Sequence, residues 1–331
     1  MESSEKKVRA LGLCSGGLDS ILSALILQKQ GIDVEWISFE TPFFPSINAR
    51  KASGMTGIPL HTRNITPTYL EMLKNPRCGY GKHMNPCMDC HTLMFRQAGL
   101  FMVENGFNFL FSGEVLGQRP MSQTMSSLRY VEKHSGYDGL ILRPLSAKKL
   151  PETEAEKTGL VDRDQLLDLS GRSRKPQMAL AREFGITEYP SPAGGCLLTD
   201  KGFSDRLKDL FSHQGSYTER ELNLLKLGRH FRLNDTTKIV IGRTKQENDG
   251  LMALYDPQSD VLIKVTRSPG PTVIMPHGGP KEMVFLAASI CTGYSKAPRE
   301  MPVQVNITHD GRTKPITVIG LLPKDVKNFL I

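Results

Sequence analysis

The chain has 331 residues, 39% of them hydrophobic, and a formal net charge of +8 at neutral pH. That length suits two domains, or one with an appendage, and the composition is globular, with no apolar run near the ~18 residues a membrane span needs. The opening MESSEKK lacks the apolar core of a secretory signal, and six cysteines are too few and too scattered for a disulfide framework. The expectation is a cytoplasmic protein with no membrane partner, whose cysteines are thiols or metal ligands.

The positive charge is uneven. From Glu219 to Ile331, 16 Lys and Arg face 11 Asp and Glu, so about five of the eight excess charges fall in the last third. A polyanion held by that third is one reading; a basic, solvated surface without a partner is the other.

In chain order, Val8 to Cys14 reads as a buried strand, Ser15-Gly16-Gly17-Leu18-Asp19-Ser20 as a tight loop, and the apolar positions through Leu27 as a helix. Two glycines let the backbone fold closely around a ligand, and a loop feeding its N–H groups onto a helix start binds phosphate. No lysine follows in the GxxxxGKS/T arrangement, and the spacing does not fit GxGxxG, so neither common nucleotide fingerprint applies. Val34 to Phe39 then reads as a strand, Pro45 to Gly54 as a helix, Leu60 to Asn64 as a strand, His91 to Glu104 as a helix, Phe107 to Ser112 and Gly139 to Leu142 as strands. This alternation predicts an α/β fold with a five-stranded parallel sheet and right-handed crossovers. The first, fourth and fifth strands run into the glycine loop, Gly113-Glu114 and Arg143-Pro144, which brings these segments together.

From Pro151 to Ile186 the pattern is helical, with Asp162-Arg163-Asp164 opening one helix and Pro176 in the first turn of another. TEYPSPAGGC, with two prolines and two glycines close together, must be a shaped loop or linker. Short helices follow near Phe203 to Ser212 and Thr218 to Leu227. Past Gly228 come strands at Lys238 to Ile241, Val261 to Val265, Thr272 to Met275, Val303 to Ile307 and Ile316 to Ile319, with a helix at Lys281 to Tyr294. These predict a second, smaller α+β domain, and the expected division is 1–188, a cysteine-bearing loop and helical linker at 189–227, and 228–331.

Asn85-Pro86-Cys87-Met88-Asp89-Cys90 places a CxxC just before a helix, whose positive end favours thiolates. A lone CxxC is ambiguous among zinc, redox and cluster sites. Cys78, His83, Cys87, Cys90 and His91 are close enough in sequence to supply a zinc shell. Cys14 and Cys291 fall in apolar elements as buried small hydrophobes.

The SGGLDS loop resembles that of the PP-loop ATP pyrophosphatases. With GEVLGQRPMSQ from Gly113 and LRPL from Leu142 in the same order, residues 8–150 resemble the tRNA 4-thiouridine synthases. The resemblance implies adenylation of a uracil carbonyl oxygen in tRNA, with release of pyrophosphate, followed by displacement of AMP by a sulfur nucleophile. It implies that Ser15, Gly16, Gly17, Asp19 and Ser20 hold the phosphates of ATP, with Asp19 near Mg²⁺, and that Gly113, Glu114, Gln118 and Arg119 line the rest of the cleft. Cys87 and Cys90 with the distant Cys196 resemble the cluster-dependent tRNA thiolases, where three thiolates hold a 4Fe–4S cluster that takes inorganic sulfide. Zinc, a metal-free persulfide pair and a sulfur-donor protein stay open as alternatives. The chain departs from the bacterial 4-thiouridine synthases, since neither a THUMP region before the loop nor a rhodanese domain at the end is seen.

KIVIGRTKQENDGL, LIKVTRSPGPTVIM, LAASICTGYSKA and NITHDGRTKPI, across 228–331, resemble the NFACT-R RNA-binding domain. There Lys238, Arg243, Lys245, Lys264, Arg267, Lys296, Arg312 and Lys314 would contact phosphates, which position RNA without reading its sequence. The expected function is ATP-dependent tRNA uridine thiolation. Other PP-loop adenylations such as amidation, or a non-catalytic ATP-sensing RNA-binding protein, are the alternatives.

Overall fold

The computed structural model describes residues 7–190, 196–298 and 300–331 and divides into two compact units, 1–199 and 200–331. The helices assigned from sequence to a linker therefore belong to the second unit.

In the first unit, β1 (Arg9–Leu13), β2 (Asp33–Glu40), β3 (Leu60–Asn64), β4 (Phe109–Ser112) and β5 (Ile141–Leu142) form a parallel sheet of order β3-β2-β1-β4-β5. This is the expected five-stranded parallel α/β sheet. Its helices are α1 (Leu18–Lys29), α2 (Ile47–Thr56), α3 (Thr66–Lys74), α4 (Cys87–Glu104), α5 (Met125–Ser135), α6 (Glu154–Lys157) and α7 (Lys175–Glu183). The helix expected to open at Asp162 is one 3-10 turn, Arg163–Gln165, capped by the Asp162 carboxylate. Chain order reverses between β1 and β4, where an open α/β sheet leaves a crevice beyond its strand ends. The Phe111 ring lies over Gly12 across this pair, where a Cβ would stand 2.2 Å from the ring. Leu11, Leu18, Ile21, Leu22 and the only tryptophan, Trp36, are fully buried.

The second unit begins with α8 (Lys201–His213) and α9 (Glu219–Leu224). Then follow β6 (Arg229–Arg232), β7 (Lys238–Ile241), α10 (Lys245–Leu254), β8 (Val261–Val265), β9 (Val273–Met275), α11 (Lys281–Gly293), β10 (Pro302–His309) and β11 (Arg312–Ile319). The strands form one antiparallel sheet, β11-β10-β8-β9-β7-β6, whose apolar face, with Phe231, Ile263 and Val305, packs on α11. Two charge pairs fasten the leading helices to it. Arg232 donates twice to Asp209 of α8, at 3.0 and 2.7 Å, and Arg220 of α9 donates twice to the fully buried Asp260, at 2.7 and 3.2 Å. No helix is long and apolar enough to cross a membrane, among the described residues.

Candidate active site

The glycine loop joins β1 to α1 as the sequence pattern requires. Gly16 has φ +73°, and a Cβ there would stand 2.1 Å from the Asn48 carbonyl carbon, so the loop lies tightly against α2 and only glycine fits. Its polar groups are not all turned outward. The Gly16 N–H points at the Cys14 sulfur (3.3 Å), and the Ser20 hydroxyl donates to the Gly17 carbonyl (2.7 Å), closing the first turn of α1. Ser15 is exposed. Burial pushes the Cys14 thiol up to about 11, so it stays a neutral support beneath the loop.

Asp19 lies in the first turn of α1. One carboxylate oxygen, Oδ2, accepts from Gln118 Nε2 at 2.8 Å, and Gln118 in turn accepts from Gln177 Nε2 at 3.2 Å. The other, Oδ1, is buried without a hydrogen-bond partner. Burial raises the Asp19 carboxyl above its ordinary value, opposed by the Gln118 bond and by Arg174 and Arg119 nearby. A buried carboxylate oxygen with no donor and two guanidinium groups nearby is chemically suited to a hard cation bound together with phosphate. The β4 loop closes on this point: a Cβ at Gly113 would stand 2.4 Å from the Asp19 carbonyl carbon and the Ser20 nitrogen.

Glu114 has a different role from a cleft wall. It accepts from Arg143 Nε at 3.0 Å and is bonded to His91 Nδ1 at 2.8 Å and Ser112 Oγ at 3.1 Å. Arg143 also holds Glu132 of α5, which is paired with Arg129. Burial would raise the Glu114 carboxyl, but Arg143 and His91 outweigh it and hold it down at about 2. This network ties β4, β5, α4 and α5 together beneath the site. His91, a candidate zinc ligand in the sequence, is engaged here.

Cys87 and Cys196 both lie near Cys90. Cys87 opens α4, and the Asn85 side-chain amide donates to its sulfur at 3.3 Å. Cys90 lies one turn on, its N–H donating to the Pro86 carbonyl. Burial and the neighbouring Cys196, Cys87 and Asp89 push the Cys90 thiol up, against a bond from the Tyr69 hydroxyl. The helix end therefore does not by itself make Cys90 a thiolate. Burial pushes Cys196 up to about 11; the Leu198 N–H and Arg119 oppose this, while Cys87 reinforces it. Arg119 thus acts on both Asp19 and Cys196. Residues 191–195 of the loop leading to Cys196 lie outside the described residues.

The alternative zinc set does not assemble. The Cys78 thiol bonds the Tyr130 hydroxyl, its N–H donates to Asp89 at 2.8 Å, and His91 holds Glu114. Among the described residues no three His, Cys, Asp or Glu stand as ligands of a single metal ion. A zinc ion holds its sulfurs at ~2.3 Å and so draws them close together, whereas a larger iron–sulfur cluster spaces them more widely. Cys87 and Cys196 are near Cys90, and thiols of this kind suit a soft centre in donor chemistry, although among the described residues they do not stand as ligands of a single ion.

In the second unit, Lys245, Arg267, Lys296, Arg312 and Lys314 are exposed, and Lys264 is half-buried. Arg243 is exposed but paired with Glu247 in the first turn of α10, the helix that follows it. Lys238 differs from the surface contact expected of it: its side chain is 11% exposed and lies 3.3 Å from Asp209. Burial lowers its ammonium to about 8, with Asp209 opposing. Alternation along β7 directs this lysine toward α8, which the local sequence did not reveal.

Sequence reasoning missed Arg174 and Gln177, both at the start of α7 and both close to Asp19. The basic run Arg172-Ser173-Arg174-Lys175 just ahead of Pro176 was the available signal.

Comparison with known proteins agrees with the motif order. Residues 5–153 match the family described as thiamine biosynthesis protein (ThiI), and residues 228–330 match the NFACT protein RNA binding domain. A tRNA-specific 2-thiouridylase of Sulfurimonas denitrificans is 33% identical over 121 residues, which are 34% of this chain and 35% of that protein. A probable tRNA sulfurtransferase of Finegoldia magna is 32% identical over 153 residues, 44% of this chain and 37% of that one. The chain spans about a third of the length of these relatives. The crystal structure of a 4-thiouridine synthetase–RNA complex with bound ATP aligns at 20% identity and a TM-score of 0.38, covering 66% of this chain and 51% of that one. In sequence and in motif order, this chain resembles the tRNA 4-thiouridine synthase type of PP-loop protein over residues 5–153 and the NFACT RNA-binding domains over residues 228–330.

Proposed function

We propose that this chain is an ATP-dependent tRNA uridine thiolase. The observation that carries the reading is the closing of the β4 loop on the phosphate loop, with Gly113 packed against the Asp19 backbone, Gln118 bonded to one Asp19 oxygen and the other oxygen buried without a partner. The two domain matches support it from outside the site.

In this reading the glycine loop and the start of α1 hold the phosphates of ATP, and Asp19 Oδ1 takes Mg²⁺. The uracil carbonyl oxygen attacks the α-phosphate, pyrophosphate leaves, and a sulfur nucleophile then displaces AMP from the activated carbon. Arg119 neutralises charge that develops on the phosphates and steadies a nearby thiolate. Cys87, Cys90 and Cys196 would hold a 4Fe–4S cluster, which when bound supplies a soft site for sulfide. The exposed Lys245, Arg267, Lys296, Arg312 and Lys314 of the second unit supply phosphate contacts to tRNA.

A second reading has its own support. Because no three described residues stand as ligands of one metal ion, the metal-free alternative is that a sulfur-donor protein leaves a sulfane sulfur on Cys90 or Cys196, this outer sulfur displaces AMP from the activated carbon, and the second thiol attacks the inner sulfur to release the product and leave a disulfide. The test has two parts. Pyrophosphate release from ATP should depend on tRNA; a release indifferent to tRNA would overturn thiolation in favour of another adenylation. Iron per chain after anaerobic reconstitution should fall in Cys196→Ala relative to wild type; iron in neither protein, with a trapped Cys90–Cys196 disulfide, would select the persulfide reading.

A further inference from the structure

The first turn of α7 lies against the candidate ATP site, although nothing in the SGGLDS or LGQRP motifs points to it. Ser170 bridges to Leu116, and the Gly171 N–H donates to the Leu116 carbonyl at 2.7 Å, so the segment ahead of α7 runs beside the loop that follows β4. α7 packs on α1, and Gln177, 1% exposed, reaches Asp19 through Gln118.

Three polar atoms around this junction are buried without hydrogen-bond partners: Asp19 Oδ1, Gln177 Oε1 and Arg174 Nε. Native interiors seldom leave such atoms unpaired, and three gathered around one carboxylate mark a missing ligand. Their types describe it. A guanidinium N–H seeks an oxygen acceptor, a lone carboxylate oxygen seeks a cation or donor, and an amide oxygen seeks a donor. The helix starts of α1 and α7 meet here, joined by Gln118 and flanked by Arg119, so the field favours negative charge. A simple structural pairing of Arg174 with Asp19 does not account for the pattern, since neither the guanidinium Nε nor Asp19 Oδ1 bonds the other.

We infer that Arg174 is a ligand-contacting residue that donates to the phosphate chain of the nucleoside triphosphate, so that the start of α7 forms the wall of the phosphate site opposite the glycine loop. This rests on the ATP-dependent reading above. The chain's own contribution is a fixed, forked donor on the far side of the phosphates from Ser15 to Gly17, which distinguishes a triphosphate from a monophosphate.

The test is calorimetric titration of the full chain with Mg²⁺–ATP and, separately, with AMP. Arg174→Ala should weaken Mg²⁺–ATP by about 10- to 100-fold in Kd, the scale of one lost hydrogen bond to a charged group, while AMP affinity stays within about twofold. Arg174→Lys, which keeps the charge but loses the fork, should fall between. Unfolding followed by Trp36 fluorescence shows whether each variant is folded; if Arg174→Ala is not, the ATP-to-AMP ratio of Arg174→Lys decides. An unchanged ATP affinity, or an equal loss for ATP and AMP, would overturn the role of Arg174 while leaving the ATP-dependent reading in place. Wild-type protein that binds neither nucleotide would overturn both.

Discussion

Replacing Glu114 by Gln tests whether the buried network beneath the site is a stabilising element. The carboxylate is 6% exposed and bonded to Arg143, whose side chain is 1% exposed, and to His91. A carboxyl held at about 2, against an ordinary 4.5, corresponds to about 3 kcal/mol of stability at neutral pH, at ~1.4 kcal/mol per pH unit. The cost of breaking one partner from a buried ion pair, ~3–5 kcal/mol, agrees with that scale. Because the folded pKa lies below the unfolded one, the contribution is complete above pH ~4.5 and is lost as pH falls towards 2; about 2 kcal/mol of it should be gone by pH 3. The assay is urea unfolding read by the fluorescence of Trp36, which lies in β2 and so reports the first unit alone. At pH 6 Glu114→Gln should lower the midpoint by about 1 M urea, and the gap from wild type should narrow towards pH 3. A gap under about 1 kcal/mol at pH 6, or one of equal size at both pH values, would show that the charge on Glu114 is not what stabilises the fold.

Asp19→Ala should reduce ATP-dependent pyrophosphate release by about 10²-fold or more while costing no more than about 1 kcal/mol in the Trp36 unfolding curve, because Oδ1 has no partner and the one side-chain bond lost is that from Gln118 to Oδ2. Gly113→Ala forces a methyl group to 2.4 Å from the backbone of Asp19, so its unfolding midpoint should fall, on the ~1–3 kcal/mol scale of overpacking, and pyrophosphate release should fall with it. On the exposed hairpin, Arg312→Gln with Lys314→Gln in the full chain should flatten the slope of log affinity against log salt for tRNA by about one to two units; an unchanged slope would remove β11 from the RNA surface. Lys238→Met should leave that slope unaltered, since the side chain faces Asp209 and not solvent.

Much of the fold was legible from the sequence because its strongest signals are local. β7 and β8 coincide with their apolar runs, and α1 follows directly from glycines at its start and a buried stripe behind them. The helices that escaped notice have little apolar content to show. α10 buries only Leu251, α3 buries three residues, and α5 is held by the Thr124 cap and by ion pairs more than by a hydrophobic stripe. Motif order singled out Cys87, Cys90 and Cys196 as a set, but it did not reach the partners of Glu114. Arg143 and Glu132 are separated from it along the chain, and only the closing of β5 against β4 and the packing of α5 bring them together. The same limit hid Arg174, whose importance depends on α7 folding back over α1.

The second sheet has two edges, and the protein treats them differently. On one side the backbone of β6 is covered: Phe231 bridges to Leu330, and the Ile331 N–H donates to the His230 carbonyl. On the other side β11, among the described residues, pairs only with β10 and leaves its outer row of backbone groups unpaired. Such a row is a template on which strands of other chains can add, the first step of edge-to-edge aggregation. β11 carries Pro315, which has no N–H to offer, between the cations Arg312 and Lys314 and the apolar Ile316, so an incoming strand meets a missing donor and like-charged neighbours in succession. The basic character of this hairpin therefore has a use that does not depend on RNA: it keeps the open edge of the sheet from recruiting its own copies.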